Sequence, residues 1–358
     1  MTVHIVGAGM SGLSAAFFLS GKNVPVVLYE ASGRTGGRCH SFEDKTLGAT
    51  VDAGTHLMLG SNTALLKMLE QCPSETPLLP VGHDFLFYDV SNRRFFNADL
   101  RAPLSFTGHC RALYPLFAES VMNTPAAEAD FLMLMKTGLM CLGKQNGTVY
   151  LASPSLKASV VDPVERELKR RGVLFRFARK AIGVKPDKIL FHDGETALSP
   201  NDKVILTVPL EKDSRLPENT IAGIHYKTPA KLLENRRFIG MVNATGHWVF
   251  ERGGVLSVTI SAANGLLKDF SPEEIARNVW KELSPVLCEY REAPMPPYRF
   301  IASKRATLHQ SRLVNSLRPS TETDCPNVFN AGAAVKTGLP CTIEGAVRAG
   351  IAAAQKAL

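Results

Sequence analysis

The apolar positions of the chain follow two rhythms that alternate along its length. Thr2 to Val6 is a short apolar run ending in Gly7-Ala8-Gly9-Met10-Ser11-Gly12, and small residues at helical spacing continue to Ser20. Pro25 to Tyr29 is a second apolar run, closed by Glu30. Strand, glycine turn, helix and strand in that order predict a βαβ unit of a parallel sheet. A helix is expected from Asn62 to Gln71. From Pro73 to about Gly147 the rhythm lapses: Phe85 to Tyr88 and Arg94 to Phe96 predict two short strands around Ser91-Asn92, and Leu104 to Leu142 is rich in Leu, Met, Phe and Ala.

The first rhythm returns near Pro154, with a helix expected over Asp162 to Gly172, a strand over Val173 to Phe177, and a hairpin of Ile182 to Val184 with Ile189 to Phe191 around Pro186-Asp187. Val204 to Pro209 is a continuous apolar run of the kind buried inside a parallel sheet. From Leu210 to about Pro297 it lapses again. Trp248 to Phe250 and Leu256 to Ile260 suggest antiparallel strands, and Ser271-Pro272-Glu273-Glu274 is a capping box with proline at the first helical position, opening a helix through Trp280 to Leu283. A closing strand, Asn327 to Gly332, precedes a helix from Thr342 to Leu358. The pattern predicts an α/β protein: a discontinuous nucleotide-binding module over 1–72, 148–210 and 298–358, interleaved with an α+β substrate module over 73–147 and 211–297.

The glycine turn carries the first chemistry. Gly7 allows the tight strand-to-helix turn, Gly9 lets backbone approach a pyrophosphate, and Gly12 lets helix and strand pack closely; Met10 and Ser11 open the helix, whose free N–H groups face the phosphates. Glu30, followed by Ala31, stands about 20 residues on, where a carboxylate accepts hydrogen bonds from a ribose diol. The unit is a dinucleotide site. In Arg34-Thr35-Gly36-Gly37-Arg38 the paired glycines mark close backbone approach, while the arginines offer a phosphate or flavin contact.

Composition narrows the class. With 358 residues, 45% hydrophobic and 21% charged, the chain is long enough for two modules with substantial cores. A formal charge of +8 suits an anionic membrane surface, an acidic ligand or simply a basic, soluble surface, and no recognised nucleic-acid module accompanies it. The seven cysteines form no C-x-x-C pair, so neither a metal site nor a disulfide framework is expected, and reduced thiols in the cytoplasm are the simpler reading. The first strand leaves no room for a signal peptide, and no apolar run reaches the ~18–20 residues of a spanning helix. Membrane contact is therefore expected to be peripheral, on the cytoplasmic face. The Met- and Leu-rich stretch Phe131 to Met140 reads either as buried helical core or as a lipid-facing patch; a helical insertion lining a greasy cavity would reconcile the two.

After its second strand, Arg-x-Gly-Gly-Arg resembles the second fingerprint of the FAD proteins of the amine oxidase and phytoene desaturase superfamily. Val51 to Gly60, His247 to Arg252, Ser303 to Thr307 and Gly338 to Ala346 together resemble one branch, the hydroxysqualene dehydroxylases of bacterial hopanoid synthesis. The resemblance spans nearly the whole chain, firm at its ends and thin from Pro73 to Gly147. It implies a Rossmann-like, glutathione-reductase-type FAD domain, with Gly54, Thr55, Val208, Gly332, Thr342 and Ile343 joining the glycine turn and the arginine segment around the cofactor. The closing helix would point its N-terminus at the isoalloxazine. In one respect the chain departs from the pattern: the superfamily usually has an acid after the Ala-Gly of the closing strand, where this chain has Ala333. The chain is also compact for the family.

The resemblance implies reductive removal of the allylic hydroxyl of hydroxysqualene to give squalene, by hydride transfer from reduced flavin, with the donor that re-reduces the flavin unidentified. His56, or a water it orients, is the candidate proton donor; Lys304 and Arg305 are weaker candidates. A carotenoid-type desaturase would use the same fold in the oxidising direction. An amine oxidase fits less well, because Thr342 and Ile343 stand where that family tends to place an aromatic residue. A prenyl- or lipid-binding protein without flavin chemistry is the remaining alternative.

Overall fold

A computed structural model describes residues 1–208, 210, 216–289 and 293–358. Its first layer is a parallel sheet of five strands in the spatial order Leu174–Arg176, Val26–Tyr29, Val3–Val6, Lys203–Leu206, Val328–Asn330. Val3–Val6 lies at the centre, with the chain's next strand on one side and a strand from its middle on the other. That reversal of strand order opens a crevice beyond the carboxyl ends, where open α/β sheets bind ligands. The Val204–Pro209 run forms a strand as far as Leu206; Thr207 and Val208 follow it, and Pro209 lies outside the described residues.

The sheet is buried by the helix Met10–Ser20, the closing helix Ile343–Lys356 and the helix Asp162–Arg170. Small residues on the first helix let the closing helix approach closely. Ser14 Oγ donates to the Val347 carbonyl at 3.0 Å, and a Cβ on Gly350 would lie 2.1 Å from the Ser11 carbonyl oxygen. The expected hairpin near Pro186 gains a third strand and forms a meander, Ala181–Lys185, Lys188–Phe191 and Gly194–Ala197.

The second layer is a seven-stranded sheet in the order Tyr298–Leu308, Glu218–Lys227, Val255–Ile260, Trp248–Arg252, Phe238–Val242, Asp84–Asp89, Arg94–Asp99. Strand alternation gives it two faces. Ile224, Tyr226, Met241, Val249 and Val258 pack with Ile275, Val279 and Leu283 of the capped helix Pro272–Leu283, whereas Phe85, Phe87, Phe238, Trp248 and Phe250 form a separate aromatic core. Ser271 and Glu274 cap that helix reciprocally, as their spacing predicts.

One expected boundary moves. Tyr298–Leu308 pairs along Glu218–Lys227 from Tyr226↔Tyr298 to Glu218↔Leu308, so it belongs to the second sheet, and the last segment rejoins the parallel sheet only at Val328. Two small sheets also connect the layers: the hairpin Ser41–Asp44 with Ala49–Asp52, and Leu57–Leu59, Val149–Leu151 and Leu79–Gly82. The Leu104 to Leu142 region contains the helices Cys110–Met122 and Phe131–Met140.

Candidate functional site

The glycine turn sits at the carboxyl end of the central strand and shows why each glycine is needed. Gly7 has φ 101°, and a Cβ there would lie 2.3 Å from Thr207 Oγ1. A Cβ on Gly12 would lie 1.9 Å from the Gly7 carbonyl oxygen, so any side chain there pushes helix from strand. Gly9 differs: a Cβ there meets nothing within 4 Å, so the space in front of the helix is open. Among the described residues no side chain caps that helix, and the buried Ser11 hydroxyl beside its start has no hydrogen-bond partner. An uncapped N-terminus with an orphaned hydroxyl and an open approach fits a diphosphate.

Two further segments converge on this point. Glu30 accepts from the Ala8 N–H at 2.8 Å and, through its other oxygen, from Ser32 N–H and Oγ, both at 2.8 Å. The turn and the acid are thereby fixed to each other, and the carboxylate, half-buried, keeps lone pairs for a ribose. Gly36 donates its N–H to the Ala8 carbonyl at 2.8 Å, which brings Gly37 against Gly9. Ala31, Arg34 and Arg38 are exposed along this rim; Arg34 Nη1 donates to the Gly37 carbonyl at 3.1 Å and Arg38 Nη1 to the Ala306 carbonyl at 2.7 Å.

Thr207, which the apolar pattern conceals, joins the middle and last segments. Its hydroxyl donates to the Val6 carbonyl at 2.9 Å, and a Cβ on Gly332 would lie 2.8 Å from the Thr207 carbonyl oxygen. Val208, just beyond, is exposed. Gly332 has φ 107° and turns the chain into a loop held by Arg318, whose buried guanidinium donates to the carbonyls of Ala333, Ala334, Val335 and Leu339 at 2.7–3.2 Å. Ala333 is itself buried, so this loop is positioned through its backbone by Arg318. Nothing in the sequence marks Arg318 out from the other arginines. Thr342 then caps the closing helix, accepting from the Gly345 N–H at 3.2 Å, and Ile343 opens that helix half-buried beside the first.

The segment Val51 to Gly60 is anchored by a buried ion pair. Asp52 accepts from Ser41 Oγ at 2.6 Å and the Leu156 N–H at 2.9 Å, and its second oxygen lies 2.6 Å from Arg252 Nη2. Arg252 also donates to Thr55 Oγ1 at 3.2 Å and to the Ala152 carbonyl at 3.1 Å. Ser257 Oγ lies 2.8 Å from Nδ1 of the nearby His225, which burial lowers to about 4. His225 is neutral there, and Arg252 supplies the positive charge opposite Asp52. In the strand Trp248-Val249-Phe250-Glu251-Arg252 the pattern marks the three apolar residues and not Arg252, whose partner Asp52 lies far away along the chain.

His56 projects from this anchored segment. Its ring lies over Gly54, with Nε2 3.9 Å from where a Gly54 Cβ would stand, and it makes no hydrogen bond to any described residue. The His56 side chain is half-buried. Desolvation lowers its pKa below the ordinary 6.5, against an opposing pull from Asp52. Lys304 and Arg305 are exposed on the second sheet. A separate cleft of about 370 Å³ lies along Ser14 to Lys22, the end of the first helix remote from the glycine turn, and is not this site.

A family model described as flavin containing amine oxidoreductase matches residues 10–133 and 241–358. Hydroxysqualene dehydroxylase from Sinorhizobium fredii is 31% identical, covering 99% of this chain and 98% of that protein, and the enzyme of the same name from Zymomonas mobilis matches with the same figures. The chain belongs to the hydroxysqualene dehydroxylase branch of the flavin containing amine oxidoreductases. It is an oxidoreductase, and FAD is its cofactor. The solved cyclohexylamine oxidase from Brevibacterium oxydans shares the fold at a TM-score of 0.68 with 14% identity, covering 99% of this chain and 98% of that one. The alignment to the Sinorhizobium relative runs over 417 positions against 358 residues here, so the relative carries insertions that this compact chain lacks.

Proposed function

We propose that this flavoenzyme removes the allylic hydroxyl of hydroxysqualene reductively, releasing squalene and water. The observation that carries the reading is the similarity to hydroxysqualene dehydroxylases over essentially the whole chain. Reduced FAD, when bound, supplies the hydride. Gly7, Gly9, Met10, Ser11 and Gly12 would cradle its diphosphate, Glu30 and Ala31 its ribose, and Arg34, Gly36, Gly37 and Arg38 the rim of its charged centre. Gly54, Thr55, Val208, Gly332, Thr342 and Ile343 would enclose the remainder.

The substrate's carbon–oxygen bond breaks because the hydroxyl is allylic and the resulting cation is delocalised. His56, or a water on its ring, gives the leaving oxygen its proton. Arg252 holds the His56 segment through Thr55, while the depressed pKa of His56 keeps a permanent imidazolium from forming beside the developing cation. The polyisoprenoid substrate and seven cysteines without a disulfide support a cytoplasmic protein working at the inner face of a membrane. Among the described residues no helix is long and apolar enough to cross one.

Anaerobic mixing of the photoreduced protein with hydroxysqualene tests the reading. Flavin reoxidation and squalene formation should proceed together, one for one. Turnover only from the oxidised flavin, with desaturated product, would replace it with a desaturase; a purified protein that carries no flavin and still binds polyisoprenoids would replace it with a lipid carrier.

A further inference from the structure

The helix Phe131–Met140 turns only Leu134 fully inward and leaves Phe131, Leu132, Met135 and Leu139 exposed by 53, 65, 46 and 65%. Four large apolar side chains on ten residues is far more than scattered surface hydrophobes. A neighbouring helix adds to the patch. Arg312–Ser316 is joined to the first through Asn315 Nδ2, which donates to Asp130 Oδ2 at 3.1 Å, and on it and just after it Leu313 and Leu317 are exposed by 70 and 60%.

The charge around this face is chiefly positive, with Asp130 taken up as the cap of the first helix, accepting from the Met133 N–H at 3.2 Å. Neither 131–161 nor 293–321 contains an Asp or Glu, while Lys136, Lys144 and Arg312 lie within or beside the two helices. At the edge, Glu128 is engaged with His309 at 3.2 Å. The face is also tied to the candidate site. Lys136 Nζ lies 3.4 Å from the Gly338 carbonyl, just before the closing helix, and the fully buried Gln310 joins the Met122 carbonyl to the Cys341 N–H, both at 2.7 Å.

We infer that this face is the surface by which the enzyme docks on an anionic lipid bilayer. An apolar helix flanked by cations matches the interface of acyl chains and acidic headgroups. A second copy of the chain would bring cations against cations. The inference rests on the proposed substrate, a polyisoprenoid alcohol that partitions into the bilayer, and it accounts for an oily face tied to the loop before the closing helix.

Co-sedimentation with vesicles tests it. The FAD-loaded protein should bind vesicles of equal phosphatidylcholine and phosphatidylglycerol more tightly than pure phosphatidylcholine, and salt should erase the difference. Leu132→Asp combined with Leu139→Asp should weaken binding roughly 100-fold, since two leucines no longer enter the acyl region. Arg312→Gln should lower only the salt-sensitive part, by about fivefold. The double variant should still turn over detergent-dispersed hydroxysqualene. Equal vesicle binding by wild type and double variant, or a wild-type dimer that the double variant splits without change in vesicle binding, would overturn the inference. Failure of the wild type on detergent-dispersed substrate would instead sink the proposed function and leave the docking result standing.

Discussion

Asp52 and Arg252 form a buried ion pair at 2.6 Å that ties the second sheet to the segment carrying Thr55 and His56. Asp52 is 1% exposed and is reached by Ser41, Leu156 and Arg252 from three separate stretches of chain. The pair is a geometric device: it sets where the His56 loop lies relative to both layers.

Breaking it from one side should be costly. Arg252→Met leaves the Asp52 carboxylate buried without its cation, a loss of about 3–5 kcal/mol. The expected outcome is a large fall in the thermal midpoint and partial loss of bound flavin. Asp52→Asn combined with Arg252→Met removes both charges and should recover a substantial part of the stability. Equal midpoints for the single and double variants would show that the charges are not coupled.

The glycine turn separates a cofactor requirement from a folding requirement. Gly9→Ala meets open space, and its backbone at φ −73° suits any residue, so the variant should fold with an unchanged midpoint in the absence of FAD. Its methyl group occupies the approach to the diphosphate and should weaken FAD binding at least ~10-fold, about 1.4 kcal/mol. Gly12→Ala drives a methyl into the Gly7 carbonyl and should destabilise the protein itself by about 1–3 kcal/mol. Flavin titration and flavin-free melting of both variants check the contrast; a normal FAD affinity for Gly9→Ala would remove the diphosphate from this turn.

The local signals in the chain were of unequal strength. The βαβ unit, the Ser271 capping box and the closing helix are legible because turn residues, caps and apolar period agree over ten or more residues. The strands Ser41–Asp44 and Leu57–Leu59 are too short to show a period, and Tyr298–Leu308 interleaves Arg, Lys and Ser with its apolar residues. Gly7, Gly9 and Gly36 were readable from spacing because backbone approach demands glycine. Thr207, Arg252 and Arg318 were not, since their roles depend on partners 100 or more positions away, or, for Arg318, on backbone carbonyls that carry no sequence mark.

Glu344 gives a purely structural prediction inside the closing motif. Its carboxylate is buried and accepts from the Ala64 and Leu65 N–H groups, both at 3.0 Å, at the start of the helix Thr63–Leu69, and from Arg348 Nε at 2.6 Å. It caps one helix while standing in the first turn of another. Glu344→Gln keeps the shape but loses the charge and points an amide at two donors, at a cost of about 1.5–3 kcal/mol. Chemical denaturation should show the loss with little change in the flavin absorbance of the folded protein; an undiminished midpoint would mean the bridge contributes nothing.

His56 gives the pH dependence. Burial lowers its pKa below 6.5, so the proton-bearing form is the minority species at neutral pH and grows as pH falls. If that proton goes to the leaving hydroxyl, single-turnover dehydroxylation by the reduced enzyme should be fastest in acid and decline as pH rises through an apparent pKa under 6.5. His56→Ala should abolish that limb of the profile and slow the step ~100-fold or more while the flavin spectrum is retained. His56→Gln, which can still orient a water, should recover part of the rate without restoring the pH dependence. An alanine variant with the wild-type profile would place the proton donor elsewhere.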